Sequence, residues 1–230
     1  MNIPNYPLRR IRSFVRRDSR LTEAQRDALR TLWPQFGLPL TDEPVDFFTV
    51  FHREAPRILE IGFGSGQSLL ATAKAHPGHD FIGIETHQPG IGALLLNIHI
   101  EQLTNIRIFY GDAVEVLKQC IPDRSLHGIQ LFFPDPWPKR RHHKRRLIQA
   151  EFVKLLITKL KQGGELHLAT DWQDYAKEMM RVLSDLPELV NRAGAGHFAQ
   201  RSSQRPIVTK FEGQGKRAGR VIWELQFELH

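Results

Sequence analysis

Acidic residues set directly beside glycines and prolines are the first feature of this 230-residue chain that points to chemistry. Glu60-Ile61-Gly62-Phe63-Gly64-Ser65-Gly66 places three glycines at alternate positions. That spacing permits a tight turn and lets a ligand approach the backbone closely. It differs from the G-x-G-x-x-G of dinucleotide sites, and Glu60 stands immediately before it. A carboxylate there repels a pyrophosphate but favours a ligand that carries an ammonium group. Glu85, at the end of the next apolar run, is placed like the acid that accepts hydrogen bonds from ribose hydroxyls. Gly111-Asp112-Ala113 offers a carboxylate, or the backbone beside it, to an adenine amino group. An adenosine ligand with a cationic tail and no phosphate suits all three positions, and S-adenosylmethionine is such a ligand. Taken singly, each acid fits a helix N-cap equally well.

A second constellation follows at Phe132-Phe133-Pro134-Asp135-Pro136-Trp137-Pro138. Three prolines restrict φ, so Asp135 and Trp137 are expected to be held in defined positions. A carboxylate beside an aromatic plane is suited to gripping a planar base by hydrogen bonding and stacking. The run Lys139-Arg140-Arg141-His142-His143-Lys144-Arg145-Arg146 begins at once and contains no acid. Lys and Arg at that spacing are suited to phosphates, which position a nucleic acid while the loop selects the base. His142 and His143 lack a Cys or acidic partner at metal-ligand spacing, so no metal is expected.

These residues need a frame that brings strand ends together. Short apolar runs at 57–61, 81–85, 106–110, 126–133 and 165–170 read as strands. Helical stretches follow at 67–76, 90–103, 113–119, 147–161 and 172–183. Such alternation, with nearly continuous apolar strands, indicates an α/β fold: a mostly parallel sheet with helices on both faces. Residues 221–229 are strand-like with no helix after them and fit a terminal antiparallel strand. Ligands in such sheets bind at the carboxyl ends of the strands, which is where Glu60, Glu85, Asp112, Asp135 and Asp171 fall. Upstream, Thr22 and Gln25 form a capping-box pattern for a first helix, and Pro34, Gly37, Pro39 and Pro44 interrupt the chain after it.

Composition narrows the class. Hydrophobic residues at 41% and charged residues at 25% are ordinary for a soluble protein, and no apolar stretch is long enough to span a bilayer. No signal-peptide pattern follows Arg9 and Arg10, and the single cysteine, Cys120, excludes an internal disulfide. We therefore expect a cytoplasmic protein. Six arginines and one acid lie in residues 1–20, a stretch expected to be a flexible basic arm ahead of a single domain at 21–230. The arm and the 139–146 run together exceed the net charge of +7 for the whole chain, so the remainder is acidic. Charge concentrated in this way fits a polyphosphate partner.

The motifs EIGFGSG (60–66), GIE (83–85), GDA (111–113), FFPDPWPKRRHHKRR (132–146), TDW (170–172) and RPIVTKFE (205–212) resemble those of the bacterial tRNA (guanine-N7-)-methyltransferases. The resemblance implies a Rossmann-like class I methyltransferase fold and transfer of a methyl group from S-adenosylmethionine to guanine 46 in the variable loop of tRNA. It further implies that Glu60, Glu85, Asp112 and Asp135 contact the donor with Gly62, Gly64 and Gly66. Asp135 would also be the active-site residue. Lys139, Asp171 and the segment Thr209, Lys210, Phe211 and Glu212 match substrate contacts, the last expected on a loop closing over the base. Arg141, His142, His143, Lys144, Arg145 and Arg146 match a stretch that interacts with RNA. One departure stands at Gly213-Gln214-Gly215, where the family pattern is x-R-G. Two readings stay open: a methyltransferase acting on another RNA, and a non-catalytic RNA-binding protein on the same fold. Oligomeric state is not legible.

Overall fold

The computed structural model describes residues 20–202 and 205–230. The basic arm therefore lies, but for its last residue, outside the described residues. Chain order begins with α1 (Glu23–Thr31), α2 (Trp33–Phe36), β1 (Gly37–Leu38) and α3 (Phe47–Phe51). It continues through β2 (Arg57–Ile61), α4 (Gln67–Ala75), β3 (Asp80–Glu85), α5 (Gln88–Ile100), β4 (Ile106–Tyr110) and α6 (Ala113–Gln119). Then come β5 (Leu126–Phe132), a 3₁₀ helix (Arg140–Arg145), α7 (Ala150–Lys159), β6 (Leu160–Thr170), α8 (Gln173–Ser184), β7 (Leu189–Asn191), α9 (Lys210–Arg217) and β8 (Trp223–Leu229).

The strands form one sheet in the order β1-β4-β3-β2-β5-β6-β8-β7. Every pairing is parallel except those of β8, which runs antiparallel to both β6 and β7. From β2 the chain winds outward through β3 to β4, then returns to the other side of β2 to lay down β5. The winding reverses between β2 and β5, and the crevice outside the carboxyl ends of strands at such a reversal is where these sheets hold ligands. Glu60 on β2 lies opposite Gln130 on β5 and Gly83 on β3. The residues that follow these strands therefore share one rim.

Alternate strand residues feed two apolar clusters, as period 2 requires. Phe81, Ile106 and Ile108 pack with Leu69, Ala73, Ile91, Leu94 and Ile98 from α4 and α5. Leu59, Ile82, Ile84, Ile129 and Leu166 pack instead with Val116, Val153, Leu156, Tyr175 and Met179 from α6, α7 and α8. All six residues of β3 are buried, which explains why Phe81-Ile82-Gly83-Ile84, between its two end acids, form an unbroken apolar run rather than an alternating one. The capping box of α1 is formed: Thr22 Oγ1 accepts from the Gln25 N–H, and Gln25 Oε1 accepts from the Thr22 N–H.

Several elements depart from the sequence reading. The proline-rich interruption contains α2 and a two-residue strand, β1, that pairs with Ile108 and Phe109 at the sheet edge. Asp46 caps the short α3 by accepting from the Phe48 N–H. β6 starts at Leu160, five residues early, because Gly163 at φ 73° carries the strand through what reads as a glycine turn. The segment after Thr209 is a helix, α9, and not the loop closing over the base that the resemblance implies. No helix among the described residues is long and apolar enough to cross a membrane.

Candidate active site

Gly62, Gly64 and Gly66 all take left-handed φ values, 73°, 59° and 76°, which residues with a Cβ adopt only under strain. The turn is pinned from both sides. The Gly62 N–H donates to the Ile84 carbonyl at 2.8 Å, and the Gly64 N–H donates to Glu85 Oε2 at 2.7 Å. A Cβ on Gly62 would meet nothing within 4 Å, so the backbone there faces open space on the rim.

The three acids at this rim have different environments. Glu60 is 3% exposed, and its Oε2 has no hydrogen-bond partner. Burial pushes its pKa up to about 8; Arg205 opposes that shift and Glu85 adds to it. Glu85 is instead satisfied by backbone: Oε1 accepts from the Thr86 N–H at 2.6 Å and the His87 N–H at 3.0 Å, beside the bond to Gly64. Asp112 caps α6, its Oδ1 accepting from the Val114 N–H at 2.8 Å. A cap accounts for one oxygen of Asp112, and its place after Gly111, whose N–H donates to the Glu85 carbonyl, sets it on the same rim.

The fourth strand end carries the proline loop. Phe133 and Trp137 have φ of 53° and 44°, a left-handed backbone at two bulky residues that costs on the order of 1–3 kcal/mol each and persists only where neighbours over-determine it. Those neighbours are identifiable. The Phe133 N–H donates to Ala169 O at 2.7 Å, and the Arg146 Nε–H donates to Pro136 O at 2.9 Å. Arg145 lies 4.9 Å from the centre of the Trp137 ring and His142 meets its edge at 5.9 Å. Asp135 sits exposed at the tip.

Within the basic run the side chains divide. Lys139, at the N-cap, and Arg140, Arg141, Lys144 and Arg145 on the 3₁₀ helix are exposed, with His142 and His143 half-buried. Partial burial, then the charges of Arg145 and Arg141, lowers the pKa of His142. Arg146 is placed differently from its neighbours. Its guanidinium is 1% exposed, binds Asp174 at 2.8 Å and Glu178, and lies 4.8 Å from the Tyr175 ring centre. It anchors the loop to α8 and does not face solvent.

After β6, Asp171 Oδ2 accepts from Arg220 Nη1 at 2.8 Å, and a Cβ on Gly215 would come 3.0 Å from the Asp171 side chain. α9 therefore packs directly against Asp171. Thr209 caps this helix, its Oγ1 accepting from the Glu212 N–H at 3.2 Å, and Lys210 and Phe211 form its first turn. Glu212 is fully buried and paired with Arg201 at 2.9 Å, Arg205 at 2.5 Å and Lys216 at 2.8 Å. Asp171 and the helix that follows Thr209 are thus brought together, though Glu212 is turned into protein. Arg201, Arg205, Arg220 and Glu224 were not singled out from the sequence. Of these, Arg205 lies in the RPIVTKFE motif, the one signal that marked its neighbourhood.

This geometry has counterparts among known proteins. Residues 54–225 match the family described as putative methyltransferase. The chain is 53% identical to the tRNA (guanine-N(7)-)-methyltransferase of Idiomarina loihiensis over 223 residues, covering 97% of this chain and 91% of that one. It is likewise 53% identical to the protein of that name from Salmonella choleraesuis over 222 residues, 96% and 92% of the two chains. The chain belongs to the tRNA (guanine-N(7)-)-methyltransferase family. The fold is shared more widely: a 16S rRNA methyltransferase, KamB, superposes with a TM-score of 0.60 at 11% identity, over 81% of this chain and 94% of the other. The protein is an S-adenosylmethionine-dependent methyltransferase on a Rossmann-like fold, and the rim fits that cofactor. A buried carboxyl oxygen stands without a hydrogen-bond partner at Glu60, and the glycine turn is open at Gly62.

Proposed function

We propose that this enzyme methylates N7 of a guanine in tRNA, at position 46 of the variable loop by family resemblance, and that it works in the cytoplasm. One observation carries the assignment of roles. A buried carboxyl oxygen without a hydrogen-bond partner, Glu60 Oε2, and an exposed carboxylate at Asp135 stand at adjacent strand ends, with a solvent-facing row of cations directly after the second.

S-adenosylmethionine, when bound, supplies an electrophilic methyl on a sulfonium. Glu60 would hold its cationic tail, Glu85 the ribose hydroxyls and Asp112 the adenine end, against the backbone of Gly62, Gly64 and Gly66. Guanine N7 has an in-plane lone pair and no proton, so no residue need act as a base to create the nucleophile. What the chain must provide is alignment and a negative environment for the positive charge that moves into the purine. Asp135 serves both ends, held in place by the strained backbone at Phe133 and Trp137. Asp171 takes the donor-rich Watson–Crick edge of the guanine, a role in which its Arg220 partner exchanges or shares the carboxylate. Lys139 and the α9 segment Thr209–Glu212 border the base on the other side. Arg141, His142, His143, Lys144 and Arg145 meet phosphates. Arg146 supports that contact from beneath by fixing Pro136.

The test is direct: unmodified tRNA is incubated with the protein and a labelled methyl donor, and the product nucleoside is mapped. 7-Methylguanosine at one variable-loop position is expected. Label at another base, or none, would overturn the assignment.

A further inference from the structure

Among the fully buried side chains, the largest include two arginines, Arg146 and Arg205. Arg205 lies in a stretch between β7 and α9 with little regular structure, yet its side chain is 1% exposed. Its Nη2 donates to Glu212 Oε2 at 2.5 Å and its Nη1 to Glu224 Oε1. The guanidinium carbon lies 4.9 Å from the centre of the Phe132 ring and 5.4 Å from that of Phe133. Phe132 in turn meets the His167 ring edge-on at 5.0 Å. His167 Nε2 lies 2.8 Å from Glu224 Oε2, which also accepts from the Ser202 N–H at 3.2 Å.

One planar cation therefore touches the end of β5, β8 and α9 at once, and reaches β6 through Glu224 and His167. Only a guanidinium can do this: two separate N–H pairs for two carboxylates, and a flat face for the aromatic rings. Arg205 also acts electrostatically on Glu60, on the cofactor side of the rim. Phe133 is the residue whose left-handed backbone opens the Asp135 loop, and Glu212 is in the first turn of α9.

We propose that Arg205 is a positioning residue for methyl transfer, locking the root of the Asp135 loop to the first turn of α9 so that both sides of the base pocket are set by one cation. The proposal rests on the reading of Asp135 and Thr209–Glu212 as parts of that pocket. Arg205 touches neither donor nor base. It determines where the groups that do so stand.

The experiment is Arg205→Lys in the full chain, with turnover on tRNA and calorimetric affinity for S-adenosylmethionine measured together. Lysine keeps the positive charge but cannot span Glu212 and Glu224 while lying flat on the phenylalanines. We expect turnover to fall roughly 10- to 100-fold, the scale of a reacting group misplaced by about an ångström, with donor affinity within about threefold of the unaltered protein. Turnover within twofold of the unaltered protein would overturn the proposal. So would a loss of donor affinity in proportion to the loss of turnover, which marks a merely structural role.

Amide exchange on the unaltered protein provides a measurement that does not depend on the variant folding. Adding unmodified tRNA with S-adenosylhomocysteine should slow exchange in 133–138 and 209–217 together, and slowing in only one of them counts against the coupling. If the unaltered protein forms no 7-methylguanosine in the same assay, it is the proposed function that fails. The exchange result then still decides the coupling.

Discussion

The two halves of the site are built by different means. On the side we assign to the cofactor, the Gly62 N–H is held by the Ile84 carbonyl and the Gly64 N–H by the Glu85 carboxylate, while Glu85 and Asp112 accept from backbone N–H groups one or two residues further along the chain. On the side we assign to the base, the Asp135 loop, Asp171 and α9 are tied down by long-range cations: Arg146, Arg205 and Arg220. The first arrangement is local and leaves one buried carboxyl oxygen, Glu60 Oε2, without a hydrogen-bond partner. The second is closed, with each carboxylate of the Glu212–Glu224 cluster bound by a cation or imidazole. On the proposed reading, the contrast separates a half that takes a cationic ligand from a half whose carboxylates are already paired and serve as scaffold.

The contrast is most open to attack at Asp135. Asp135→Asn removes negative charge from the proposed reaction centre, and single-turnover rates should fall ~100- to 1,000-fold while tRNA affinity stays within a few-fold. Unchanged turnover would remove Asp135 from the chemistry.

Next in size are the buried ion pairs. Glu224→Gln leaves Arg205 and His167 against a neutral amide and should cost about 3–5 kcal/mol of stability, read as a lowered denaturation midpoint. The pH dependence of that cost has a fixed sign. Burial raises the Glu224 carboxyl, but the His167 hydrogen bond and the Arg205 charge outweigh it, so its pKa ends below the ordinary 4.5. Its stabilisation is therefore present above pH 4.5 and fades as the pH falls through the lowered pKa. Glu60 has the opposite sign. With its pKa raised from 4.5 to about 8, the neutral carboxyl contributes fully below pH 4.5 and loses that contribution as the pH rises through about 8. Glu60→Gln should therefore gain stability relative to the unaltered protein between pH 6 and 9, whereas Glu224→Gln should not. Parallel pH profiles for the two variants would erase the distinction drawn here.

The smallest effects belong to the 3₁₀ helix and sharpen the division within it. Arg141→Ala should raise the Michaelis constant for tRNA a few-fold and reduce the salt slope by roughly one phosphate's worth, with unfolding unchanged. Arg146→Ala should chiefly lower stability, because Asp174, Glu178 and Pro136 all lose their partner. Denaturation curves and salt titrations on the pair distinguish a cation that faces RNA from one that braces the loop.

Much of this organisation is legible in the sequence. The five central strands and their helices follow from apolar runs at the correct period, and the acids fall at strand ends because parallel topology requires it. β1 escapes because two residues carry no period. α9 escapes because Gly213 and Gly215 argue against a helix, whereas Gly215 is there to let the helix approach Asp171. The scaffold cations escape for a different reason. In a basic chain an arginine that faces solvent and one sealed among carboxylates look the same, so Arg146 reads as one more member of an RNA-facing run and Arg205 as part of a motif. Only the tertiary contacts reveal that these are the buried ones. Glu60 was legible in its position before the glycine turn but not in its burial, which is what raises its pKa.

The claim on which everything else rests is that Glu60 is the acid which receives the cationic donor. Calorimetric titration with S-adenosylmethionine from pH 6 to 9, for the unaltered protein and Glu60→Gln side by side, tests it most directly. The unaltered protein should bind more tightly as the pH rises toward about 8 and release a proton on binding below that pH. Glu60→Gln should bind more weakly throughout and lose that part of the pH dependence. Identical affinity and proton release in the two proteins would contradict the account.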